Sequence, residues 1–284
     1  MILSRLYQYE EAIDTFESLF KMEKAEFSIV ALEKYCNVKA KQCVLDFDKQ
    51  KEERKGKGKA SNEAIDKLCN VIHLLMQLRE LGETAERYSL LGSAYKRKAY
   101  MQTTKAEKQA SLKEAAYFYY QANNIKGNKY TAYTLCNWLE LEALLADGKT
   151  HKWGEMLSNK KYKLPKLADA ELKLKAFIPD GKATAKSGTD DLDFWNLIEE
   201  ANATLALWIL KVSGGTKTYK EIGPQQVINA YNLVWSMAGS MDKKRAEIEH
   251  FEILIDAAET FKPAQKELIQ TLKKIKTSLQ AMIK

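Results

Sequence analysis

The stretch that decides the fold runs from Thr84 to Ala122 and carries Tyr88-Ser-Leu-Leu91-Gly92-Ser-Ala-Tyr95, then, after an insertion, Ala115-Ala-Tyr-Phe-Tyr119-Tyr-Gln-Ala122. Apolar and small residues recur three and four apart in both halves, the spacing that gathers them on one face of a helix. Small residues at Gly92, Ala115 and Ala122 let two helix backbones approach, and the aromatic Tyr119 fills the space between them. The stretch predicts two helices packed against each other.

The same period extends outward in both directions. Ala12, Phe16, Leu19 and Phe20, then Ile65, Leu68, Cys69, Ile72 and Leu75, and later Leu205, Trp208, Ile209 and Val212 each trace one helical face. Helices are expected near 9–22, 26–52, 61–80, 83–101, 106–124, 129–147, 151–158, 165–177, 191–212, 223–239, 242–260 and 264–283. Only 4 Pro and 13 Gly interrupt the 284 residues, so long helices can run unbroken, and a mainly β fold is excluded. Breaks fall at the Gly-spaced Arg54–Ala60 and the polar Ile178–Asp190, both expected to be mobile loops. Ser213-Gly-Gly215, Gly223-Pro224 and Lys262-Pro263 mark shorter turns, with each proline suited to the first turn of the next helix. Short connections imply antiparallel neighbours. The expected organisation is a helical region over 1–177, a linker over 178–190 and a second helical region over 191–284.

Tyr88-x2-Leu91-Gly92-x2-Tyr95 resembles the first-helix signature of a tetratricopeptide repeat, with Tyr88 in place of the usual Trp. Ala115-x3-Tyr119-x2-Ala122 resembles the second helix, and Tyr9-Glu-Glu-Ala12-x3-Phe16 resembles it still more closely. Tyr133-Thr-Leu135-Cys-Asn137-Trp138 looks like another first helix with Cys136 at the Gly position, and Trp195-x2-Ile198 opens a further one. The prolines that usually close each repeat are absent. The resemblance implies an all-α solenoid of antiparallel helix pairs, about a dozen helices in all. Because the helix at Tyr9 lacks most of a first-helix partner, the chain is expected to be a fragment of a longer one. Ala115–Ala258 also resembles the divergent repeat region of apoptosis-signal-regulating kinases, and of bacterial signalling proteins fused to caspase-like (CHAT) proteases.

Tetratricopeptide arrays line a concave groove with their first helices, so the resemblance implies which positions face a bound peptide. Counted from Leu91 these are Glu86, Ser89, Ser93 and Lys96, with Arg97 adjacent; counted from Leu135 they are Tyr130, Tyr133, Asn137 and Glu140. Asn137 resembles the groove Asn that hydrogen-bonds a peptide backbone, while Lys96 and Arg97 suit an acidic group. The alternative for this face is a merely solvated surface.

No other pattern assembles a catalytic or cofactor site. Cys69-x3-His73 puts a thiol and an imidazole one turn apart, half of a metal site without a second pair, and it is expected to be a packed core pair. Gly148-Lys149-Thr150 lacks the upstream glycine of a phosphate loop, which is Ala143 here. Asp190, Asp191 and Asp193 suit a helix N-terminus, and the rings of Tyr117, Phe118, Tyr119 and Tyr120 are expected mainly in the core. Neither cofactor nor metal is expected.

Charge is uneven beneath a net +7. Residues 149–186 hold 10 Lys against 4 acids, and 262–284 hold 6 Lys against 1 Glu, with no Arg in either stretch. Lys160, Lys161, Lys163, Lys166, Lys273, Lys274 and Lys276 are therefore the alternative site, a salt-sensitive contact to a nucleic-acid backbone without base readout. The scattered cysteines Cys36, Cys43, Cys69 and Cys136 suit reduced thiols, and neither a leader pattern nor a membrane-length apolar run is present. A soluble, cytoplasmic, non-enzymatic protein is expected, with a protein or peptide as partner, other domains of its parent chain included. The resemblance to kinase and protease partners implies, as an alternative role, a regulatory region of a signalling or defence enzyme.

Overall fold

Amphipathic helices without internal breakers have one economical solution, which is to pack on their neighbours, and the protein adopts it throughout. The computed structural model describes residues 8–22, 28–53, 62–125, 132–146, 164–178, 190–214, 222–237 and 241–282. Among the described residues the fold is all-α, with eleven helices: α1 Tyr9–Phe20, α2 Ile29–Glu53, α3 Asn62–Glu80, α4 Ala85–Met101, α5 Lys105–Asn124, α6 Ala132–Leu145, α7 Leu167–Lys175, α8 Asp190–Gly214, α9 Pro224–Met237, α10 Met241–Phe261 and α11 Lys266–Ala281. The helices follow the spacing in the sequence, and the all-α, tetratricopeptide-like solenoid is the one the resemblance implies. The expected helix at 151–158, the loop at Arg54–Ala60 and most of the 178–190 linker lie outside the described residues. So do the side chains read as caps at Asp190, Asp191 and Asp193. Pro224 opens α9 as expected, whereas Pro263 sits in the turn before α11, which starts three residues later.

Contacts divide the chain into two units, 1–128 and 129–284. In the first, each helix packs on the next from α1 to α5, and α2 also touches α4. That skip contact is the mark of a repeat: α2 and α4 are successive first helices, and α1, α3 and α5 are the second helices that back them. The buried faces interleave Tyr35, Cys36, Cys43 and Phe47 of α2 with Leu68, Val71 and Leu75 of α3, and Tyr88, Leu91 and Ala94 of α4 with Phe118 and Ala122 of α5. Local chemistry ends the helices where the packing needs them to end. Thr84 caps α4 by accepting from the Arg87 amide at 3.1 Å, and Thr104 with Glu107 forms a reciprocal capping box on α5.

In the second unit α6 is the centre. Every residue from Ala132 to Ala146 except Tyr133 is buried, since α7, α8 and α10 all pack on it. α8 also contacts α7 and α9, and α11 packs on α9 and α10. Trp208, Tyr231 and Phe251 are the largest side chains enclosed there, with Tyr231 and Phe251 in an edge contact at 5.0 Å.

Candidate functional site

The expected groove positions start on α4. Ser89 is half-buried and donates to the Ala85 carbonyl at 2.7 Å. Ser93, Lys96 and Arg97 are each less than a tenth exposed. Arg97 donates to Ser93 Oγ at 2.6 Å, and the Lys96 ammonium lies over the Tyr119 ring, 5.9 Å from its centroid. On α6, Asn137 is buried and donates to the Tyr133 carbonyl at 2.8 Å, while Tyr133 itself is 44% exposed. Glu140 is fully buried, with His250 Nε2 of α10 3.3 Å from its carboxylate. Tyr130 lies outside the described residues. Of the expected groove positions, Glu86, Ser89 and Tyr133 present themselves to solvent, and the other described ones are engaged within the fold.

Those buried groups give the second unit an acidic interior. Burial pushes the Cys136 thiol well up, with Glu140, Glu199 and Glu247 adding to the effect. Burial also raises Tyr231, again reinforced by Glu247 and Glu140, and its hydroxyl donates to Asn202 Oδ1 at 2.5 Å.

The lysines of the alternative site fall into three groups. Lys273 pairs with Glu259 at 2.7 Å and Lys276 with Glu252 at 3.2 Å, so two α11 charges are balanced by α10 acids. Lys166 and Lys274 are exposed, and Lys160, Lys161 and Lys163 lie outside the described residues. The expected core pair on α3 is corrected: His73 is exposed and Cys69 only half-buried. The reason is register, because Ala64, Leu68, Val71, Leu75 and Leu78 form the buried face of α3 and residue 73 projects from the other side. Phe118 and Tyr119 are buried as expected, with Tyr117 and Tyr120 at the margins.

One feature of the first unit was not read from the sequence. Glu10, Ile13 and Asp14 of α1, Lys39, Gln42, Cys43 and Asp46 of α2, and Lys67 of α3 line a cavity of about 250 Å3. Lys39 donates to Glu17 at 2.9 Å and to the Tyr35 hydroxyl at 2.6 Å, and Tyr35 donates to Glu17 at 2.7 Å. Hydrogen bonds from Tyr35 and Lys39 hold the Glu17 carboxyl below its ordinary range. Burial opposes the charge on Lys39, but Tyr35 and Glu17 outweigh it and raise that group. Spacing signals the α1 and α2 contributors, since 10 with 14 and 39 with 42 and 46 each share a helical face. That the two faces meet is a tertiary fact.

No curated protein and no solved structure matches the chain. The model of the family described as Tetratricopeptide Repeats-Sensor matches residues 8–145, the span that holds α1 to α6 with the α2–α4 skip contact and the Gly92 signature. That match identifies residues 8–145 as a region of the tetratricopeptide-repeat kind.

Proposed function

We propose that this chain is a protein-interaction region that binds a partner protein or peptide along the side of its repeats formed by the first helices. The observation that carries the reading is the contact between α2 and α4, successive first helices lying side by side within the matched span. Such adjacency produces the extended surface that repeat proteins use for recognition. Within the first unit, Glu86 and Ser89 on α4 are open to a partner; the second unit, taken by itself, offers the exposed ring of Tyr133 on α6, and a Tyr is a strong anchor for its area. Tetratricopeptide repeats generally bind rather than catalyse, and the family's description as a sensor supports a regulatory role in which occupancy of this region is reported to another domain.

Capture of partners from source-cell lysate by the wild-type chain beside Ser89→Lys and Tyr133→Ala tests the proposal. A protein retained by wild type and lost by either variant, with helical content and melting unchanged, supports it. Failure of the wild-type chain to retain any protein saturably, or equal retention by all three, overturns it. Nuclease-sensitive material retained in place of protein would move the function to the exposed lysines.

A further inference from the structure

We infer that the end of the first unit where α1 leads into α2 and α3 into α4 pairs with the same end of a second copy of this chain. The inference goes beyond the groove reading and stands without it.

Exposed apolar side chains single out this end. Among the described residues of 1–128, the large apolar side chains left exposed are Leu19, Met22, Ile29, Val30 and Leu81, with Met22 59% and Leu81 70% exposed. Hydrogen bonds put them at one level. Gln42 donates to Glu10 and Tyr35 to Glu17, so α1 and α2 run antiparallel. The end of α1, with Leu19 and Met22, therefore comes level with the first turn of α2, with Ile29 and Val30. Arg87 ties that turn to Leu81. Its guanidinium bonds Glu33, one turn into α2, and also the carbonyl of Gly82, the residue after Leu81. An ordinary surface scatters its exposed apolar residues singly, whereas here the ends of three helices bring them together as a patch.

Charge identifies the occupant. Beside the patch the exposed charged residues are Lys21 and Lys34 on the α1–α2 side, and Glu80, Glu83 and Glu86 on the α3–α4 side. Arg79 balances Glu80, so Glu83 and Glu86 carry the net charge of their side. Glu83 accepts from the Tyr88 hydroxyl at 2.6 Å, which leaves its charge in place. Lys34 acts on Glu86 where the two sides meet. A face that is basic on one side, acidic on the other and apolar between is its own complement. A two-fold axis lying in the plane of contact sets the lysines of each copy against the glutamates of the other and closes the apolar centre. Anionic lipid would repel the Glu83 and Glu86 side, and a partner of uniform charge would match one side while opposing the other. A second copy matches both, and two-fold pairing closes at a dimer.

The test is sedimentation equilibrium of the full chain. Between about 10 μM and 1 mM it should show a monomer–dimer equilibrium, and Val30→Glu and Leu81→Glu should each weaken it about tenfold or more. Both residues are exposed, so these variants leave the core intact. Two further variants probe the charge arrangement. Lys21→Glu with Lys34→Glu makes the face wholly acidic, and Glu83→Lys with Glu86→Lys makes it basic. Each should stay monomeric alone, and the two should associate when mixed, because only the mixture sets opposite charges across the contact on both sides. Recovery on mixing requires both chains to be folded, which separates lost charge matching from lost structure. A wild-type chain that stays monomeric, a dimer indifferent to Val30→Glu and Leu81→Glu, or absence of association in the mixture overturns the inference. Co-sedimentation of a monomeric wild-type chain with phosphatidylserine-containing vesicles, lost in Leu81→Glu, also overturns it, by assigning the patch to a lipid surface. Partner capture that survives Val30→Glu leaves the groove reading standing whatever the dimer does.

Discussion

Gly92 lies directly beneath the ring of Tyr119: a Cβ built at Gly92 would stand 2.9 Å from the ring carbon Cδ2 and 3.0 Å from two more. The two residues belong to the signatures of the first and second helix, so the spacing written in the sequence becomes a contact between α4 and α5. Tyr119 is fully buried and Lys96 lies over its ring, which leaves the ring little room to retreat. Replacing Gly92 by Ala would gain about 1 kcal/mol of helix propensity, yet the overpacking cost of about 1–3 kcal/mol should exceed it. Gly92→Ala is expected to lower the melting temperature, and the loss should shrink when Tyr119→Leu is made in the same chain. Equal losses in both backgrounds, measured by denaturant titration, would sever the link between the two positions.

Arg87 of α4 donates through Nε to Glu33 of α2 at 2.7 Å, and its Nη1 also bonds the Gly82 carbonyl. Both side chains of the ion pair are about nine-tenths buried. Removing one partner leaves a buried charge uncompensated, so Arg87→Ala should cost about 3–5 kcal/mol. Arg87→Met together with Glu33→Leu should recover much of that loss, because two apolar side chains of similar volume need no mutual compensation. Urea unfolding of the single and double variants distinguishes this from a simple packing defect.

Glu17 supplies the pH dependence of the α1–α2 contact. Its folded-state pKa is depressed by Tyr35 and then Lys39, so its contribution is complete above the ordinary carboxylate pKa and is lost as pH falls through the depressed value. The pair is partly exposed, which limits the effect to less than about 1 kcal/mol. Glu17→Gln should therefore melt below wild type at neutral pH, and the difference should close as pH falls below the depressed range of the Glu17 carboxyl. A difference that persists undiminished in acid would assign the loss to packing instead.

Thiol accessibility should separate the four cysteines. Burial pushes Cys36 up to about 12 and Cys43 up to about 11, and raises Cys136 well above its usual value. Cys69 is the half-buried one. An aromatic disulfide reagent near neutral pH should label Cys69 in the native chain and reach the other three on unfolding. Cys69→Ser is expected to abolish the native-state phase, and a fast phase surviving that change would contradict the burial of the rest.

Legibility followed the range of the interactions involved. Helices α2 to α5 and the Gly92–Tyr119 contact could be read because their signals repeat every three or four residues or follow a fixed repeat. The Thr104–Glu107 capping box, three residues apart, is as local. The groove positions were placed by register alone, and register does not report depth, so it could not tell Ser89 and Tyr133 from the buried Ser93, Lys96, Asn137 and Glu140. Cys69 and His73 shared the same blindness in reverse.

By itself the sequence determined an all-helical repeat fold, its punctuation and the residues at which helix backbones approach. Each of these depends on neighbours within a turn or within one repeat, where the period of the chain does the positioning. Tertiary structure alone decided which charges meet. Glu33 with Arg87, Glu140 with His250, and the faces of α1 and α2 that place Glu10, Asp14 and Asp46 around Gln42 lie too far apart in sequence for any periodicity to pair them. Electrostatic pairing depends on distance across packed helices and on exclusion of water, and both come into being only once the helices have assembled.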